Sequence, residues 1–288
     1  MKLTVLSENH TLDPALEAEY GLSMFLEKGG TRLLFDVGGY GACVDNARKL
    51  GVDLTALTAI AFSHNHRDHC GGFARIAREL RPTCPVYTRT DFFRRKWWDH
   101  SRDPENQPTR ENTLELVGPV LSPEFLYRQR ITGFRLLRDD VFPLGDGVYL
   151  LGNFPVDRDA EAVHPSSVME TAEGSFVPDD FRDEQVCAAE TGKGLVVLTG
   201  CAHNGIVNIL QTVERRFPGQ RILAVFGGTH LVPPDPERIR RTTAYFAASG
   251  IACAGVCHCT GPDGLESFAR QVPAYAETGA GFVWESED

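Results

Sequence analysis

Ser63-His64-Asn65-His66-Arg67-Asp68-His69 is the stretch on which the reading of this chain turns. Three histidines and an aspartate fall within six residues, directly behind the apolar run Ala59–Ser63. Imidazole nitrogen and carboxylate oxygen are the donors that zinc, iron and manganese accept. In an extended turn His64 and His66 alternate, so both rings can point the same way. Asp68 and His69 follow one short turn later and can reach a second ion. Two ions about 3.5–4 Å apart can clamp a reacting oxygen between them. A surface loop that merely happens to be rich in histidine has no reason to sit at a strand end ahead of Gly71-Gly72.

One loop does not close a metal site, and the chain offers three further histidines, each just past a β-like apolar run. They are His203 in Leu198-Thr199-Gly200-Cys201-Ala202-His203, His230 in Gly227-Gly228-Thr229-His230-Leu231, and His258 in Cys257-His258-Cys259-Thr260-Gly261. Strand ends on one edge of a sandwich converge, so these segments are expected to meet the first loop. His10, His100 and His164 lack this setting and are expected to be solvated.

Outward from the cluster, the pattern alternates strands and helices. Leu3–Ser7 reads as a strand, and Gly21–Glu27 with Thr31–Phe35 as a hairpin across Gly29-Gly30. Ala42–Leu50 has helical spacing and stops at Gly51, and Gly72–Leu80 reads as a second helix. A second hairpin is expected from Val186–Glu190 and Leu195–Leu198. Gly205–Phe217 and Pro236–Ser249 read as helices, with Val148–Gly152, Ile222–Phe226 and Ile251–Val256 as strands. Such alternation predicts a layered α/β sandwich in one domain, residues 1–288. The stretch from about 88 to 140 is less regular and reads as an inserted cap. Within it, Phe92-Phe93-Arg94-Arg95-Lys96-Trp97-Trp98 reads as an amphipathic helix docking its aromatics on the core. Arg94, Arg95 and Trp97 are its candidates for gripping a substrate.

A hydrophobic share of 42% supports a sizeable core, and a net charge of −10 argues against nucleic acid as a partner. No run of 18 apolar residues appears, so no membrane span is expected. The start lacks a signal peptide's length, which makes the cytoplasm the default location. The eight cysteines are scattered without zinc-ribbon spacing, and four of them sit beside histidines. A small-molecule substrate is the expected partner; the oligomeric state is left open.

His-x-His-x-Asp-His at His64–His69 resembles the signature of the metallo-β-lactamase superfamily, and Phe35-Asp36-Val37-Gly38 resembles its first motif. Leu198–Leu210 (LTGCAHNGIVNIL), Phe226–Leu231 (FGGTHL) and His258–Gly261 (HCTG) are similar to one branch, the dihydropterin ribofuranosylaminobenzene 5'-phosphate synthase-like proteins. The resemblance spans nearly the whole chain outside the irregular stretch. It implies a four-layer αββα sandwich and one or two transition ions, zinc first, with iron or manganese as alternatives. His64, His66, Asp68, His69 and His258 carry over as ligands, with His203 added, and Asp36 as the residue that orients a ligand histidine from behind. The superfamily's bridging aspartate, in a Thr-Gly-Asp sequence, is absent: Thr199-Gly200 is followed by Cys201. Cys201, His203, Asp183 and Glu184 are the candidates for the vacated roles.

The chemistry implied is hydrolysis of an ester, phosphoester or lactone by an activated water, or a pterin-related synthase reaction. Asp68 would position the nucleophile or take a proton, and His230 would protonate the leaving group or steady developing charge. Two other classes compete. A diiron redox protein of this fold would carry Glu where His66 stands and would need a flavin domain; iron content with oxygen consumption identifies it. A metal-retaining sensor would bind metal without turnover.

Overall fold

The computed structural model describes residues 1–102, 113–131, 133–155 and 161–286. A seven-stranded sheet runs in the order Val283–Glu285, Lys2–Ser7, Ser23–Lys28, Thr31–Phe35, Ala59–Ala61, Val86–Arg89, Phe134–Leu137. A six-stranded sheet runs Cys253–Cys257, Ile222–Gly228, Gly194–Thr199, Val186–Thr191, Val148–Leu151, Val141–Gly145.

Two-residue alternation stacks these sheets into layers. Leu3, Val5, Met24, Leu26, Leu33, Phe35, Ala59 and Ala61 face the second sheet's Val148, Leu150, Val196, Leu198, Ala224 and Phe226. The residues between them point the other way. Leu6, Phe25, Leu34, Ile60 and Phe62 pack on Val44 and Ala47 of the helix Ala42–Leu50, and on Phe73 and Ile76 of the helix Phe73–Glu79. On the far side, Val186, Ala188, Leu195 and Val197 pack on the helices Ile206–Arg216, Pro236–Ala248 and Gly261–Gln271. Three apolar seams thus separate four layers, αββα.

The helix Ile206–Arg216 shows why these elements form. Ile206, Ile209, Leu210 and Val213 recur at positions i, i+3, i+4 and i+7 and are buried, each worth about 1.5–3 kcal/mol of burial. Its first turn lacks a side-chain cap from Gly205. The Glu161 carboxylate instead accepts from Val207 N and Asn208 N at 3.2 and 2.7 Å.

A third, four-stranded sheet runs Phe176–Pro178, Ser167–Glu170, Lys96–Asp99, Leu114–Gly118. The stretch 88–140 is therefore divided. Lys96–Asp99 and Leu114–Gly118 leave the sandwich and pair with each other, and Lys96–Asp99 pairs on its other side with Ser167–Glu170, whereas Phe134–Leu137 is an edge strand of the first sheet, parallel to Val86–Arg89. The segment containing Trp97 and Trp98 is a strand, not a helix; two adjacent tryptophans suit a pleated, half-buried surface.

Strand direction places the site. Thr31–Phe35 and Ala59–Ala61 are parallel, as are Gly194–Thr199, Ile222–Gly228 and Cys253–Cys257. Their carboxyl ends share one edge, and there the chain presents Asp36, Ser63-His64, Cys201, His230 and His258.

Candidate metal centre

The edge is held together by hydrogen bonds to the ring nitrogens facing away from the centre. Asp36 is fully buried and accepts three times: from Ser63 N at 2.7 Å, Ser63 Oγ at 2.6 Å and His69 Nδ1 at 2.7 Å. Because the Ser63 hydroxyl proton goes to the carboxylate, Ser63 Oγ is free to accept from His64 Nδ1–H at 2.9 Å. His258 Nδ1 lies 3.0 Å from Asn9 Oδ1. Each contact puts a proton on Nδ1 and leaves Nε2 turned inward. No side chain fits in place of Gly200, where a Cβ would lie 2.0 Å from Ser63 Oγ.

What these nitrogens face is the test of whether a cation fits. His64 Nε2 stands 3.2 Å from His203 Nε2, and His69 Nε2 3.2 Å from His258 Nε2. Burial, then the neighbouring imidazoles, hold His64 and His203 well below the usual histidine range. Both rings are neutral, and His64 aims a bare lone pair at the other ring. At His69 burial opposes charge, but Asp68 and Asp36 outweigh it and push the imidazole up. Inward Nε2 lone pairs beside the Asp68 carboxylate are donors that a metal ion would satisfy without protonating the rings. The residues fit.

The donors form two sets. Asp68, His69, Cys201 and His258 bring their donor atoms within 4.8 Å of one another, and so do His64, Cys201 and His203. Cys201 belongs to both, its Sγ 3.1 Å from His69 Nε2. It therefore stands where a bridging ligand would. Asp183 and Glu184 turn elsewhere. Asp183 accepts from Asn65 N, and Glu184 from His203 N and Asn204 N, so both carry backbone rather than reach the centre. Asp68 Oδ2 lies 3.1 Å from His258 Nε2 and 3.6 Å from His69 Nε2, its side chain 16% exposed toward the cleft. His66 falls in neither set; its ring sits 4.5 Å from His64 and 4.9 Å from His203, on the cleft side.

Backbone strain gathers here. Asp36, Phe181, Ala202, His230 and His258 all take left-handed φ, between 46° and 61°. Such conformations cost about 1–3 kcal/mol each and persist where the surroundings over-determine them.

Above the centre opens a cleft of about 590 Å³ lined mostly by Tyr20, Tyr40, Lys96, Trp97, Trp98, His100 and Glu115, with His66, Asp68, Cys201, His203 and His230 at its floor. Trp97 lines it. Arg94 and Arg95 do not: Arg94 pairs with Asp91 at 3.0 Å and Arg95 with Glu170 at 2.9 Å, both on the exposed side of the cap. Of the three cations only Lys96 is buried at the cleft, held by Asp179 and Asp183. His100 lines the cleft and His164 stacks on Trp98 at 4.7 Å, so neither is simply solvated; His10 is half-exposed beside Glu8. Asn9, Ser63, Lys96 and Cys201 are the site residues that motif spacing missed or left undecided.

Comparison with known proteins agrees with this fold. The family model described as the metallo-beta-lactamase superfamily matches residues 16–175, more than half of the chain. The chain belongs to the metallo-β-lactamase superfamily. Within the superfamily it is 26% identical over 269 residues to the 7,8-dihydropterin-6-methyl-4-(beta-D-ribofuranosyl)-aminobenzene-5'-phosphate synthase of Methanocaldococcus jannaschii, covering 91% of this chain and 88% of that one. Among solved structures, a metal-dependent hydrolase of the beta-lactamase superfamily matches at 27% identity and a TM-score of 0.82, over 100% of both chains. The metallo-beta-lactamase fold protein YhfI from Bacillus subtilis matches at 13% identity and a TM-score of 0.57, over 99% of both chains, a likeness of fold alone.

The role assigned to Asp36 is open to a direct check. Asp36→Asn leaves the volume but removes the negative charge behind His69. Metal affinity is expected to fall about 10–100-fold with the fold retained, as read by competition against a chromophoric chelator. Unchanged affinity would reduce Asp36 to a turn residue.

Proposed function

We propose that the chain is a metal-dependent hydrolase acting on a small-molecule ester, phosphoester or lactone. The metal is one or two transition ions, zinc first with iron or manganese as alternatives. The ligands are His64, His66, Asp68, His69, His203 and His258, with Cys201 at the shared position. The observation that carries this reading is the 3.2 Å approach of His64 Nε2 to His203 Nε2 beside a thiol common to both donor sets. Bound there, an ion supplies Lewis acidity and lowers the pKa of water toward neutrality.

The chain's own groups would do the rest. Asp68 is anchored by His258 and His69, with its carboxylate partly open to the cleft, so it can orient a nucleophile or take its proton. His230 has its ring 4.2 Å from that of His203 and lines the cleft. It is placed to donate a hydrogen bond to charge developing on the leaving side. Asp36, Ser63 and Asn9 keep the ligand rings in one tautomer. The cap sheet supplies Lys96, Trp97, Trp98 and Glu115 to the wall of the cleft, and cap and sandwich act as one domain.

A second reading, synthase chemistry on a pterin-related compound, draws on the Methanocaldococcus jannaschii relative and on the cleft's walls. Tyr20, Tyr40, Trp97 and Trp98 offer ring faces to a planar heterocycle. In either case the net charge of −10 favours a small-molecule substrate over nucleic acid. No helix among the described residues is long and apolar enough to cross a membrane, and the cytoplasm is the proposed location.

The test uses protein purified without chelator on a panel of phosphodiesters, esters and lactones. Hydrolysis of at least one is expected, lost on chelation and restored by zinc, iron or manganese. A metal-loaded protein inert on the panel but consuming a dihydropterin would favour the synthase reading. Metal retained with no turnover of any kind would leave a sensor.

A further inference from the structure

Lys96 begins a strand of the cap sheet, yet its ammonium is buried with 3% of the side chain exposed. It lies 2.6 Å from Asp183 Oδ1 and 3.0 Å from Asp179 Oδ2. Burial alone would discharge it; the two carboxylates more than offset that and keep it charged. A buried triad of two acids and one base is a costly thing to build for cohesion alone, since apolar side chains of the same size pack there without the desolvation penalty. What the triad touches is therefore informative.

Both carboxylates lead into the metal centre. The other oxygen of Asp183 accepts from the backbone N–H of Asn65 at 2.9 Å, the residue between His64 and His66. The other oxygen of Asp179 accepts from Phe181 N at 2.8 Å. Phe181 holds a left-handed φ of 47°, an outlier for so bulky a residue, and its ring lies flat on His203 at 3.9 Å and 9°. The Lys96 ammonium itself sits 4.3 Å from the Phe181 ring centre. Asn65 also donates its side-chain amide to Phe92 O, and a Cβ on Gly118 of the neighbouring cap strand would lie 1.8 Å from Asn65 O. The cap thus bears on the residue linking two ligands and on the ring backing a third.

We propose that Lys96 is a positioning residue that couples the cap to the metal centre, through Asp183 to the His64-Asn65-His66 backbone and through Asp179 and Phe181 to His203. It needs no contact with substrate for this. The inference rests on the metal reading of the site and adds that metal affinity depends on a side chain outside every ligand set.

The experiment compares metal affinity, by competition with a chromophoric chelator, and the ligand-field absorption of the cobalt-substituted protein. The proteins are wild type, Lys96→Met, Asp183→Asn, and the double Lys96→Met/Asp183→Asn. Each single variant is expected to lose about 10–100-fold in affinity and to shift the cobalt bands. The double is expected to be no worse than the singles, because both break one relay. Lys96→Met leaves two unbalanced carboxylates and can fail to fold, so Lys96→Met/Asp179→Asn restores the charge balance while leaving Asp183 without its partner. Weakened affinity and shifted bands in that variant support the relay. Wild-type affinity and wild-type bands in it overturn the relay and leave Lys96 a charge balancer. A wild type with no metal affinity would overturn the metal reading along with it.

Discussion

His230→Ala is expected to lower turnover by about 10²–10⁴-fold, the range of general acid–base and charge-stabilising groups, while leaving metal content unchanged. His230 lines the cleft and its ring is 4.2 Å from that of His203, yet it enters neither donor set among the described residues. Burial first, then Arg238 and nearby histidines, push its imidazole down to about 3. At neutral pH it is uncharged, so the role proposed for it is that of a hydrogen-bond donor to a growing negative charge rather than of a protonated acid. Its position is constrained: φ is 46°, and the next residue's N–H bonds Cys259 O at 3.0 Å. His230→Gln keeps a donor and should recover part of the loss. A fall in metal content in the alanine variant would make His230 a ligand. Normal content with normal turnover would leave it a core histidine.

Cys201→Ala is expected to have the larger effect on metal. It deletes the one donor common to both sets, so every ion bound there loses a ligand, and affinity should fall by more than the about 10–100-fold that a supporting partner is worth. Burial pushes the free thiol up, so it is protonated without metal, and coordination must displace that proton. Binding through Cys201 should therefore release a proton, and affinity should rise with pH. The spectroscopic mark is a sulfur-to-cobalt charge-transfer band present in the cobalt protein and absent in Cys201→Ala and Cys201→Asp. The aspartate variant restores the carboxylate that most superfamily members carry and should retain metal without that band. A cobalt protein lacking the band from the start would place Cys201 outside the coordination sphere.

The sandwich and the principal loop were legible because their signals are local. The alternation in Thr31–Phe35 and Ala59–Ala61 decides which face each residue joins, and six residues carry the histidine motif. Cys201 was one of four candidates for the vacated position, and what favours it over Asp183 and Glu184 is its 3.1 Å approach to a histidine 132 positions away. Lys96 shares a cationic run with Arg94 and Arg95; which of the three is buried depends on Asp179 and Asp183, more than 80 residues further on. Phe134–Leu137 hid inside the irregular stretch because a four-residue edge strand with an exposed outer face has little pattern of its own. The partner of the His258 ring nitrogen, Asn9, lies 249 positions away and is set by tertiary geometry that no spacing rule encodes.

Anomalous diffraction collected across the zinc, iron and manganese edges, on crystals of protein never exposed to chelator, tests the metal centre most directly. One or two peaks are expected among His64, His66, Asp68, His69, Cys201, His203 and His258, at bonding distance from their donor atoms, and the same preparation of His64→Ala/His66→Ala should lose them. No peak at that edge of the sandwich, or full metal content in the double variant, would contradict the account.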